Sequence, residues 1–127
     1  MKIGVKPQIQ LENGYYYAEI IEAEPYKGNW GPCIAVMFQL LAGKQAGAKL
    51  KLVTTAMATG RNKTGRLLMA AGISLVNMDH IDSTQLLGKR VILRTQLKEG
   101  SSGFYSIVEN ILPLDQSEGK AEMITRL

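Results

Sequence analysis

The feature that most restricts how this chain folds is the spacing of its period-two segments: five runs of strand composition, with one run of helical spacing between the third and the fourth. Residues 14–24, GYYYAEIIEAE, are rich in tyrosine and isoleucine and stop at Pro25. Residues 32–41 place Ile34, Val36, Phe38 and Leu40 on one face and Cys33, Ala35, Met37 and Gln39 on the other. A glycine-bounded turn over 42–47 leads into 48–55, where Leu50 and Leu52 alternate with Lys49 and Lys51, so the second and third strands are expected to form a hairpin. The period then changes over 62–71, with Leu67, Leu68 and Ala71 at helical spacing, Thr64 as the expected N-cap and Gly72 as the terminator. A connection with a short helical turn from Ser83 to Gly88 follows. Residues 89–97 alternate Val91, Leu93 and Thr95 against Arg90, Ile92, Arg94 and Gln96; a loop over 98–103 and a fifth strand over 104–112, stopped by Pro113, complete the pattern.

Three strands, a helix and two strands is the element order of the OB-fold, a partly open Greek-key barrel whose second and third strands and flanking loops bind oligonucleotides. The expected class is therefore all-β: a five-stranded OB-fold Greek-key barrel with one helix between strands three and four. A β-sandwich or a different α+β sheet are the alternatives. Residues 1–114 are expected to form a single domain and 115–127 a partly ordered C-terminal tail. The 127 residues, 46% hydrophobic and 20% charged, are enough for a core without staples. Cys33, the one cysteine, sits in the apolar run CIAVMF and reads as a buried thiol in a reducing compartment. No run reaches the roughly 18 apolar residues of a membrane span, and the first residues lack the apolar stretch of a signal peptide, so a cytoplasmic protein away from membranes is expected.

The net charge of +4 suits a polyanionic partner without specifying one, and placement must decide. Sequence-tolerant binding of single strands needs cations for phosphates and flat side chains for bases. Lys49 and Lys51, with Met37 as an apolar floor, are candidates on the outer face of the hairpin, which is expected to be basic with little acid opposing it. Lysines two apart also serve simply to keep an exposed strand soluble. Arg90 and Arg94 extend the pattern to the fourth strand, and arginine also stacks as a plane. The stacking candidates are Tyr26 and Trp30 in the loop EPYKGNWGP, with Lys27 between them; Tyr15 or Tyr17 in the first strand; and Phe104 or Tyr105 near the last hairpin. Arg61 and Lys63 belong to MATGRNKTGR, a loop expected to be flexible and to touch a nucleic-acid backbone or simply to lead into the helix.

Catalysis finds little support. GRNKTGR departs from the phosphate-cradling GxxxxGK[ST] form. His80, between Asp79 and Asp82, reads as a turn and capping cluster rather than a metal site. Glu19, Glu22 and Glu24 are not expected to share one strand face, and one cysteine with one histidine makes no nucleophile dyad. No catalytic residue, metal or cofactor is expected.

The segments GYYYAEIIEAE, IAVMFQLLAGKQAGAKLKLVTT, KTGRLLMAAGI, LLGKRVILRTQL and GFYSIVENILPL, in this order over residues 14–114, resemble the small single-stranded-DNA-binding proteins of bacteriophages and mobile elements. The resemblance implies an OB-fold that coats single-stranded DNA during replication or recombination in a bacterial host cell, without enzymatic activity. It also implies replication or recombination proteins as partners, and self-association. Many such proteins end in an acidic recruiting tail, whereas DQSEGKAEMITRL is mixed in charge. RNA as the ligand stays open, as does a protein-interaction module that uses the Tyr26–Trp30 loop as its anchor.

Overall fold

The computed structural model describes residues 1, 3, 13–29, 31–76, 80–101 and 103–114. The strands are β1 (Gly14–Gly28), β2 (Gly31–Leu40), β3 (Lys49–Thr55), β4 (Arg90–Gly100) and β5 (Gly103–Leu112). The helix α1 (Lys63–Ala70) lies between β3 and β4, and a 3-10 turn spans Ser83–Leu86. All pairings are antiparallel in one sheet of order β3-β2-β1-β4-β5. The fold is therefore all-β with a single α-helix among the described residues, and the sheet is not closed by strand pairing. Its two edge strands, β3 and β5, approach one another, and α1 packs against both. Trp30, Asp79 and the expected tail 115–127 lie outside the described residues.

The alternation read from the sequence sorts the chain into a core face and an outer face. Tyr16, Ala18 and Ile20 of β1, Val36, Phe38 and Leu40 of β2, and Leu50 and Leu52 of β3 are buried on the core face. Val91 and Leu93 of β4, Val108 and Ile111 of β5, and Leu67 and Leu68 of α1 complete the core. Two positions depart from their expected exposure: Cys33, read as a buried thiol, is only half-buried on the outer face, and Ile92 departs in the opposite sense. Ile92 points outward yet is fully buried, because it lies between Tyr17 of β1 and Leu112 of β5 in the register.

Two hairpins are longer than the sequence suggested. β1 continues through Pro25, and pairing with β2 runs on to Gly28 opposite Gly31. β4 and β5 stay paired to Gly100 opposite Gly103. EPYKGNWGP and KEGSSG are thus mostly strand, closing in tight turns that Gly31 and Gly103 permit by adopting φ of +117°. A proline at the paired end of a hairpin costs one ladder donor without ending the strand.

The helix begins differently from expectation. Asn62, rather than Thr64, is the N-cap, its side chain accepting from Gly65 N. Thr64 is buried instead and donates to the Thr55 carbonyl at 2.6 Å, fastening α1 to β3. Gly72 terminates the helix as expected: its N–H reaches Met69 O and the N–H of Ile73 reaches Leu68 O, the paired bonds of a Schellman end. Asp82 caps the 3-10 turn through Thr84, which holds its carboxyl below the ordinary aspartate value of 3.8, mainly by the backbone hydrogen bond.

Candidate nucleic-acid interface

Cross-strand partners share a face, so the registers lay out the outer face in rows. One row runs Lys49, Gln39, Glu19, Arg90 across β3, β2, β1 and β4. The next runs Lys51, Met37, Glu22; then Val53, Ala35, Glu24; then Thr55, Cys33, Tyr26. On the other half of the sheet Tyr15 lies opposite Arg94, and Lys98 opposite Tyr105.

The face is not a basic surface with little acid. A β-bulge between Ile20 and Glu22 shifts the alternation by one residue, so Glu19, Glu22 and Glu24 all point outward, contrary to the reading that they could not share a face. A second irregularity, in β4 and β5, brings Glu109 within 3.3 Å of Arg94. Arg90 Nε lies 3.3 Å from Glu19 Oε1. Both arginines keep much of their surface in solvent, but each faces a carboxylate. Among the described residues, no group of three or more His, Cys, Asp or Glu side chains is placed to hold a metal ion.

The aromatics divide between outer-face, core-side and covering positions. Tyr26 is 47% exposed and its ring has Lys51 Nζ 5.7 Å from its centroid, so a cation and a flat surface sit together on the outer face. Lys27 is paired with Pro32 and so points to the opposite face of the hairpin from Tyr26. Tyr105, opposite Lys98, continues the outer face; Phe104, opposite Glu99, continues the core side beyond the body of the sheet. Both are well exposed. Of the two tyrosines offered in β1, Tyr17 lies beside buried Ile92 and helps to cover it, whereas Tyr15 has the Arg94 guanidinium 5.8 Å over its ring.

Arg61 and Lys63 stand outside these rows, and the loop that carries Arg61 is tied together by hydrogen bonds of its own. Thr59 Oγ1 accepts from the backbone N–H of Arg61 and Asn62, while Asn62 Oδ1 accepts from Thr59 N and its amide donates to Met57 O at 2.6 Å. Lys63 Nζ donates to the Val108 carbonyl at 2.9 Å and so serves as a strut between α1 and β5. Arg61 remains exposed.

Two concavities flank this surface. On the core side, a groove of about 550 Å³ lies between the β1–β2 hairpin, α1 and the 3-10 turn, lined by Pro25, Ile34, Met57, Leu67, His80 and Leu86. On the outer side, a smaller pocket of about 260 Å³ is lined by Asn13, Tyr15, Arg94, Gln96 and Glu109. No described helix is long and apolar enough to cross a membrane. No protein-family model matches the chain, and no curated protein is significantly similar to it in sequence.

Proposed function

We propose that this chain is a non-enzymatic OB-fold protein that coats single-stranded DNA with little sequence preference, in the replication or recombination of a phage or mobile element. The strand order, with the helix packed across the approach of β3 and β5, supports the fold. The setting in a bacterial host's cytoplasm and the company of replication proteins follow from the resemblance alone.

The observation that carries the reading is the pair of long hairpins with exposed rings on the outer face, one at each end of the central strand β1: Tyr26 where β1 runs on beyond its pairing with β4, and Tyr105 where β4 and β5 run on beyond Gly14. Lys49, Lys51, Arg90 and Arg94 on the outer face supply cations along the strand rows, and Met37 supplies an apolar floor between Lys51 and Glu22. A strand laid across this face would stack bases on rings and place phosphates near the lysines of β3. The carboxylates of β1 would restrict the phosphate track to the β3 side, because like charges repel.

Anisotropy of a labelled oligo-dT strand, with the intrinsic fluorescence of Trp30 as a second signal, tests the proposal. The expected result is saturable binding that weakens with salt, with duplex of the same length binding far less. Absence of binding at low salt to either DNA or RNA strands overturns it.

A further inference from the structure

We propose that Arg94 is a pre-positioned stacking plane for a nucleobase and that Glu109 is the residue that holds it in position. The inference rests on the single-strand reading above and changes the role of Arg94 from phosphate contact to platform.

Three observations converge on this side chain. Its guanidinium carbon lies 5.8 Å over the centroid of the Tyr15 ring, within cation–π range. Its Nε lies 3.3 Å from Glu109 Oε2, so a carboxylate holds it from the side. Its side chain is 52% exposed, which leaves surface open to a ligand. Arginine stacks on aromatic rings through its planar group, and its plane in turn receives bases.

Glu109 reaches this place through a backbone irregularity. Arg94 pairs with Asn110 and Thr95 with Val108, leaving Glu109 as the extra residue of β5. Bulges of this kind re-aim one side chain. An exposed ion pair contributes little stability, and the role proposed for this one is positional: it biases a long side chain toward its place beside Tyr15. That bias lowers the ordering cost when a base arrives.

The neighbouring carboxylate also decides between the two roles. A phosphate at Arg94 would have to displace Glu109 or sit against its negative charge, whereas a neutral base stacked on the guanidinium meets no such repulsion. The adjoining pocket of about 260 Å³ is lined in part by Asn13 and Gln96, two residues with side-chain amides. An amide both donates and accepts, which suits base edges of any identity. Asn13 Oδ1 already accepts from Leu97 N at 2.7 Å, which holds that amide against β4.

The experiment measures oligo-dT affinity over a salt series for wild type, Arg94→Lys, Arg94→Ala and Glu109→Gln, with thermal unfolding of each to verify an unchanged fold. Lysine keeps the charge and loses the plane. The expected result is that both Arg94 variants weaken binding by roughly 5-fold or more, the loss of one stacked base, with the salt slope unchanged. Glu109→Gln weakens binding as well, although it removes a negative charge. Wild-type affinity in Arg94→Lys, a salt slope lowered by about 0.7 in Arg94→Ala, or tighter binding by Glu109→Gln each overturns the platform and makes Arg94 a phosphate contact. Failure of the wild-type protein itself to bind overturns the single-strand reading instead.

Discussion

Lys63 donates from its ammonium to the backbone carbonyl of Val108 at 2.9 Å, joining the first turn of α1 to β5 across 45 residues of sequence. A side chain that reads as a phosphate contact in the sequence is thereby committed to the fold. Replacing it with methionine, which keeps the stem and removes the donor, is expected to cost about 1–2 kcal/mol in urea unfolding while leaving the salt dependence of oligo-dT binding unchanged. A lowered salt slope with full stability would return Lys63 to the interface.

Gly65 is a second point where the loop and helix meet. A Cβ there would collide with the carbonyl oxygen of Thr59, whose own N–H donates to the side chain of the N-cap Asn62. Gly65→Ala is expected to lower stability by roughly 1–3 kcal/mol through overpacking, seen as a reduced denaturation midpoint with an unchanged m-value. Gly60, where a Cβ meets nothing within 4 Å, is the control position.

Asp82 offers a pH-dependent test. Thr84 donates to its carboxylate from the backbone N–H at 3.0 Å and the hydroxyl at 2.9 Å, and the bonds hold its pKa below 3.8. A carboxyl depressed in the folded state contributes stability above its unfolded pKa and loses that contribution as pH falls through the folded value. Carboxyl-detected NMR titration should find Asp82 titrating below the ordinary aspartate range, and Asp82→Asn should abolish its part of the acid sensitivity of the 3-10 turn.

Tyr26 and Lys51 are separable by salt. Tyr26→Ala is expected to weaken oligo-dT binding by about 1–3 kcal/mol without altering the salt slope. Lys51→Ala should instead lower that slope by about 0.7, the share of one phosphate on a single strand. Tyr26→Phe, which keeps the ring, should bind like wild type.

The alternation of Val36, Phe38, Leu40, Leu50 and Leu52 was legible because a strand's period is two and burial selects one face. Glu22 and Glu109 were illegible for the complementary reason: each lies at or beside an inserted residue, and a one-residue insertion reverses the phase without leaving a compositional trace. The alternation puts Ile92 on the right face but is silent about its burial, since what covers it comes from residues 17 and 112, remote in sequence. Pro25 reads as a stop because it lacks a donor, yet it stands where β1 pairs with β2 alone, and there one missing donor does not end the strand.

The sequence by itself determined the number and order of the strands, the site of the helix, its glycine terminator and which apolar residues meet in the core. Those properties follow from local periodicity and from burial of one face. Tertiary structure alone decided which charges confront one another. It placed Glu19 against Arg90, Glu109 against Arg94, Tyr15 beneath that arginine and Lys63 on the β5 backbone, because these pairings depend on register, bulges and the docking of the helix across long stretches of chain.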